Sequence, residues 1–437
     1  MQIYDFLLRG KKEERVKEIE RFEMKGQNIE LSSFPLYFSF NLLAYFRGMN
    51  LRQLFLQHVA QTSTAPLALE IVKAEGCELT DASGKKYIDL IGGISVANIG
   101  HRHSKVVEAI KKQLDDYMHI MVYGEFVQSP QVQYAKLLAE HLPQTLNSVY
   151  FTNSGAEAVE GAMKLAKRVT GRNEIVAFKN SYHGSTQGAL SIIGDEYWRN
   201  AYRPLLPAIQ HLNYNSFDDL KFITDQTACV IAETIQAEAG IIAPQKEWIQ
   251  ALQKRCKEVG ALFILDEIQA GFGRTEKLWG FQNFDVVPDV VLLGKALGGG
   301  MPLGAFIADK DLMYQLADNP VLGHITTFGG HPVCCAAGME AFKVLLESNF
   351  NVAEKEKQFK SLLQHPKIKS IRSFGLWMAI EFDSFETCKK IIDNGIENGV
   401  ISDWFLFASN CMRISPPLSI SQNEIEMACR IIIEALR

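Results

Sequence analysis

Short apolar runs alternate with amphipathic stretches along most of this chain, and that alternation constrains the fold more than any other feature. Ser148–Thr152, Glu174–Phe178, Cys229–Ala232, Leu262–Leu265 and Val290–Leu293 read as short buried strands. Gly155–Arg168 and Lys246–Val259 carry helical spacing between them. Strands separated by helices of this length predict βα units, hence an α/β fold whose mainly parallel sheet is flanked by helices on both faces. Toward the C-terminus the strand patterns Phe374–Glu381 and Met412–Ile414 are shorter and more polar, and predict a smaller α+β lobe. In a parallel sheet, ligands bind beyond the carboxyl ends of the strands.

Three of these strand ends carry chemistry. The run Val149–Thr152 leads through Asn153 into a helix opening at Ser154–Gly155–Ala156, with Ser154 and Glu157 in capping-box spacing. Exposed amides at such a helix start favour an anion such as phosphate, and an ordinary capped helix is the competing reading. The strand Leu262–Leu265 ends in Asp266, a carboxylate that needs a cationic or donor partner if buried. A protonated ring nitrogen, a metal, or a helix N-cap role would each satisfy it. After Val290–Leu293 comes Gly294–Lys295, followed by Gly298–Gly299–Gly300. A phosphate-binding NTPase loop would need Gly at 289 and Ser or Thr at 296, where this chain has Asp289 and Ala296, so that class is excluded. A desolvated lysine has a lowered pKa and can form a Schiff base with a carbonyl. Ring partner, phosphate cradle and Schiff-base lysine together point to pyridoxal 5′-phosphate.

The stretch from Leu265–Asp266–Glu267–Ile268–Gln269–Ala270–Gly271–Phe272–Gly273–Arg274–Thr275 to Gly304 resembles the class III pyridoxal-phosphate aminotransferase signature. That family includes ornithine, acetylornithine and 4-aminobutyrate aminotransferases, and the similarity runs from about Pro66 to the C-terminus. It implies the fold type I transferase architecture, a homodimer, and transfer of an amino group from an ω-amino acid to an α-keto acid, 2-oxoglutarate above all. It divides the chain into an extension (1–48), the N-terminal part of a small domain (49–100), a large cofactor-binding domain (101–335) and the C-terminal part of the small domain (336–437).

Residue by residue, the resemblance implies that Lys295 forms the Schiff base and shuttles a proton, and that Asp266 pairs with the ring nitrogen. Gln269 would approach the ring hydroxyl, Tyr182 would stack on the ring with His183 packed beside it, and Ser154, Gly155 and Ala156 would hold the phosphate. Thr327 would reach the phosphate of the other subunit. Arg413 would bind a substrate carboxylate, with Glu238 covering it while the amino donor is bound, and Glu233 would be a structural or substrate-side carboxylate. Ser185 stands where many relatives have an arginine, so Arg199 or Arg203 would have to compensate or the substrate differs. Another pyridoxal-phosphate reaction, an aminomutase or decarboxylase, stays open at this point, as does a non-catalytic cofactor-binding protein.

Composition narrows the partners. Lys plus Arg total 45 and Asp plus Glu total 50, a formal charge of −5 that argues against a nucleic-acid binder. Eight cysteines without a CxxC spacing fit a reducing, cytoplasmic setting, and Cys334–Cys335 lacks the further ligands of a metal site. The aromatic run from Phe34 to Phe46 is shorter than the ~20 residues of a membrane span and is broken by Pro35 and Asn41. No membrane partner is expected, and Met49 is the expected translation start.

Overall fold

The computed structural model describes residues 50–437. The aromatic run and the alternative start at Met49 lie outside the described residues. Two compact units divide between Glu70 and Ile71. In the first, the helix Leu51–His58 is opened by a reciprocal cap in which the Asn50 and Gln53 side chains each accept from the other's backbone N–H.

The second unit holds three sheets. Strands β1 (Ile71–Glu75), β2 (Glu78–Asp81) and β3 (Lys86–Asp89) form an antiparallel meander. The central sheet takes β4 (Ser148–Thr152), β5 (Glu174–Phe178), β6 (Ile209–Leu212), β7 (Thr227–Glu233), β8 (Leu262–Asp266), β9 (Val290–Leu293) and β10 (Gly304–Ala308). Its spatial order is β4-β10-β9-β8-β7-β5-β6. The C-terminal region adds β11 (Ser370–Ser373), β12 (Met378–Glu381), β13 (Val400–Ile401), β14 (Trp404–Phe405) and β15 (Ala408–Ile414). β13 pairs in parallel with β3, while β11-β12-β15-β14 form a separate antiparallel sheet.

The central sheet is mainly parallel, as its apolar runs require. β10 is the exception, antiparallel to both β4 and β9. The connection 294–303 is too short for the crossover that a parallel return needs, so the chain folds straight back. Neither β10 nor β6 was legible as a strand, because one hides behind the glycine-rich loop and the other, Ile209–Leu212, has its apolar run broken by Gln210 and His211. Phe374–Glu381, expected as one strand, is instead a turn leading into β12. Phe374 donates its N–H to the Trp377 carbonyl at 2.9 Å, which reverses the chain between β11 and β12.

Packing explains why the strand ends are so well placed. The helix Gly155–Thr170 buries Ala158, Val159, Ala162, Met163, Leu165 and Ala166 against a sheet core that includes Ile231, Ile264, Leu292 and Phe306. This helix therefore starts where β4 ends, at the carboxyl edge of the sheet. No helix among the described residues is long and apolar enough to cross a membrane.

Candidate active site

Glu233 and Asp266 close their strands side by side, as register partners at the ends of β7 and β8. Lys295 follows β9 on the same edge, in a left-handed backbone conformation with φ +49°. Among the described residues its Nζ makes no hydrogen bond or ion pair. Burial pushes its amine below the usual lysine range, against the raising influence of Asp266 and Glu238. A lowered amine pKa favours the neutral form that a carbonyl-directed nucleophile needs.

Asp266 is buried, and its Oδ2 lies 2.8 Å from His183 Nδ1 while Oδ1 accepts the Ile268 N–H at 3.0 Å. His183 thus meets the Asp266 carboxylate through one ring nitrogen. Its Nε2 is buried without a partner among the described residues, as is the Gln269 Oε1. Buried polar atoms left unpaired are costly, so the Gln269 oxygen marks a place where a donor is expected to arrive. Glu233 spends both oxygens on backbone, accepting from Tyr182 N–H at 2.9 Å and from Ala237 N–H at 2.8 Å. Burial and the neighbouring Asp266 push its carboxyl well above the usual range. It ties the segment carrying Tyr182 to the segment carrying Glu238.

At the helix start, Ser154 Oγ accepts the Glu157 N–H at 3.2 Å, but the expected reciprocal cap does not form. Glu157 reaches instead to Asn153, accepting from its backbone N–H at 2.7 Å and its side-chain amide at 2.8 Å. The amides of Ser154, Gly155 and Ala156 thus stay free of side-chain caps at the positive end of a helix of 16 residues. A Cβ on Gly155 would stand 2.7 Å from Ile268 Cδ1, so a larger residue there would have to push the Ile268 side chain aside. Thr327 is exposed and lines a surface cleft with Asn153, Glu157, Glu160 and Lys164.

Arg413, near the end of β15, is buried with Glu238 in a bidentate pair: Nη1 donates to Oε1 at 3.0 Å and Nη2 to Oε2 at 2.8 Å. Burial works against ionisation of Glu238, yet the guanidinium outweighs it and holds the carboxyl below its usual range. Leu406 N–H donates to Glu238 Oε2 at 3.0 Å, and Phe407 N–H to the Glu238 carbonyl at 3.0 Å. The structure thus brings Arg413 and Glu238 together as the resemblance implies. Arg199 and Arg203 both have other partners. Arg199 is engaged with Glu196, the Ser191 carbonyl and His211, and Arg203 with Glu196 and Asn200. Ser185 Oγ itself lies 3.1 Å from the Tyr182 hydroxyl.

Two acidic groups escaped the reading of the sequence. Asp403 Oδ1 accepts from Arg413 Nε at 2.9 Å, a second carboxylate on the same guanidinium. A lone acid inside the apolar run Val400–Ile401–Ser402–Asp403–Trp404–Phe405 was the available signal. Glu267 lies fully buried behind Asp266, accepting from the Thr234 hydroxyl and from the N–H groups of Gly280 at 2.6 Å and Phe281 at 2.9 Å. Among the described residues no group of His, Cys, Asp and Glu is arranged to hold a metal ion.

Known proteins bear on this geometry in a consistent way. The model of the class-III aminotransferases matches residues 59–436. The chain is 38% identical over 387 residues to the acetylornithine aminotransferase of Methanopyrus kandleri, covering 87% of this chain and 97% of that one. It is 37% identical to a LysW-aminoadipate semialdehyde/glutamate semialdehyde transaminase of Sulfurisphaera tokodaii, covering 82% and 92%. The ornithine aminotransferase of Toxoplasma gondii superposes with a TM-score of 0.82 at 28% identity, covering 90% of this chain and 97% of that chain.

Proposed function

The chain belongs to the class III aminotransferases, and on that premise we propose that it takes the terminal amine of an ω-amino acid and delivers it to 2-oxoglutarate. It is a pyridoxal-phosphate-dependent transaminase of fold type I. Its relatives named for acetylornithine and for ornithine support a donor of that class. The observation that carries the reading is the closed Arg413–Glu238 pair, both members of which act electrostatically on the Lys295 amine. With Glu238 on the guanidinium, the site presents no free cation there, and an amine without an adjacent carboxylate can enter. With Glu238 moved away, the same guanidinium receives the carboxylate of an α-keto acid in a two-bond fork.

Asp266, Gln269, Tyr182, Lys295 and the amides of Ser154, Gly155 and Ala156 would hold pyridoxal phosphate. The orphaned Gln269 oxygen, the free helix amides and the unpaired Lys295 amine fit a ring with a hydroxyl, a phosphate and a carbonyl carbon. When bound, the cofactor supplies an electron-withdrawing ring that eases removal of the proton from the carbon bearing the amine. Lys295 Nζ takes that proton and returns it at the neighbouring position, a role its depressed pKa suits. Asp266, oriented by His183, would face a protonated ring nitrogen. Glu233 fixes the backbone of Tyr182 and of Ala237, beside Glu238. A second copy of the chain completes each site through Thr327, and the exposed Phe328 next to it supports burial of this loop in a homodimer.

The test is a comparison of wild-type and Lys295→Ala proteins loaded with cofactor and offered N-acetylornithine, ornithine or 4-aminobutyrate with 2-oxoglutarate. Glutamate is expected from the wild-type protein with one of these donors and not from the variant. Glutamate production that survives Lys295→Ala would show that another group moves the proton.

A further inference from the structure

Arg413 is gripped from two sides that differ in kind. One grip comes from its own strand pair and the segment before it. Asp403 Oδ1 accepts from Nε at 2.9 Å, and the Asp403 carbonyl accepts the Arg413 backbone N–H at 2.8 Å. Ser402 Oγ donates to the Arg413 carbonyl at 2.6 Å, and the guanidinium carbon sits 4.4 Å from the centre of the Phe405 ring. The other grip is Glu238, on the loop after β7, which takes only the Nη1–Nη2 edge. A guanidinium presents its five donors in a rigid planar fork, so holding Nε fixes where the other two nitrogens point. Only the Glu238 edge needs to be released for an incoming carboxylate.

We propose that Asp403 is a positioning residue for the α-keto acid half of the reaction. It keeps the Arg413 fork aimed, and part of its charge balanced, during the interval when Glu238 has left and substrate has not yet arrived. This rests on the reading that Arg413 receives a substrate carboxylate. It separates the two half-reactions: with an ω-amino donor the fork is closed by Glu238 and the aim is held from both sides, whereas with 2-oxoglutarate or glutamate it is held by Asp403, Phe405 and the Trp404 carbonyl, which accepts from Nη2 at 3.5 Å. Asp403 thus tunes the affinity for one partner of the exchange and leaves the other untouched.

The experiment uses the cofactor-loaded enzyme and its Asp403→Asn and Asp403→Glu variants. The two half-reactions are followed separately by absorbance, with an ω-amino donor and with 2-oxoglutarate. Binding of glutarate, a dicarboxylate without a reactive carbonyl, is measured by calorimetry. Losing one charge-assisted bond predicts that Asp403→Asn raises the KM for 2-oxoglutarate and the Kd for glutarate about tenfold or more. The donor half-reaction and kcat are expected to stay within about twofold. Asp403→Glu, which keeps the charge and shifts it by one methylene, recovers part of the loss. A parallel fall of both half-reactions, or an unchanged glutarate Kd, overturns the proposal. If Asp403→Asn does not fold, the glutarate Kd of Asp403→Glu decides, and a wild-type value there overturns it. A wild-type enzyme that transfers no amine to 2-oxoglutarate overturns the underlying reading and this proposal with it. A wild-type enzyme that does, beside a silent Asp403→Asn, overturns this proposal alone.

Discussion

Replacing Glu238 by Gln removes the carboxylate that competes with substrate for Arg413. In the closed state Glu238 holds two bonds to the guanidinium, at 3.0 and 2.8 Å, and a third to the Leu406 N–H at 3.0 Å. A substrate carboxylate remakes the first two bonds when it displaces Glu238, so they largely cancel. The Leu406 bond is not remade, and a hydrogen bond to a charged group is worth about 1.5–3 kcal/mol. At 1.4 kcal/mol per tenfold, lifting that cost raises kcat/KM for glutamate as amino donor by roughly 10–100-fold. The ω-amino donor gains nothing, so its advantage over glutamate shrinks by the same factor. Breaking a buried ion pair from one side costs about 3–5 kcal/mol where no other counter-ion is present. Asp403 stays on Arg413, so the loss of melting temperature should correspond to less than that. Single-turnover absorbance at several concentrations of each donor reads both rate constants. The reasoning is refuted if the variant melts lower while its glutamate kcat/KM is unchanged or reduced. In that case Glu238 anchors Arg413 and does not gate it.

Two further outcomes follow from the same site. Burial raises the Glu267 carboxyl from 4.5 to about 7. Between those values the folded chain holds a proton that the unfolded chain has released, so this group makes stability fall as pH rises through that window. The swing is about 3 kcal/mol, and it should appear as a difference in slope between wild-type and Glu267→Gln melting temperatures plotted against pH. Parallel plots would rule the shift out. Gly304→Ala would place a Cβ 2.1 Å from the Ser154 carbonyl oxygen and 2.4 Å from its carbonyl carbon. Backbone must then move at the start of the helix Gly155–Thr170, at a cost of about 1–3 kcal/mol. Cofactor affinity, measured by equilibrium dialysis, should fall; wild-type affinity in a folded variant would show that the phosphate end of the site lies elsewhere.

Local residue patterns were enough for much of the fold. The apolar runs of β4, β5, β7, β8 and β9 stand out because a strand buried on both faces must be continuously apolar. The helix Gly155–Thr170 stands out because its buried stripe repeats at helical spacing and Gly171 stops it in a left-handed conformation. Lys295 and Asp266 were legible for a related reason: a charged residue directly after such a strand is an exception to the local rule, and its position at the carboxyl edge is set by the strand itself. Ser154–Gly155–Ala156 likewise follow from the strand-turn-helix succession alone.

What the sequence by itself determined, then, is which residues reach the carboxyl edge of the sheet, since periodicity and chain connectivity decide that over a few residues. Tertiary structure decided what each of them touches there. The Arg413–Glu238 pair joins residues 175 positions apart, and the resemblance to a family implied it where spacing could not. Nothing short of the folded chain placed Asp403 on the same guanidinium, turned His183 onto Asp266, committed both Glu233 oxygens to backbone amides, or tied Arg199 and Arg203 to Glu196. Side-chain pairing at a buried site depends on distances of a few ångströms between separate elements, and on which donor or acceptor burial leaves without water. Neither quantity is written in the order of residues along the chain.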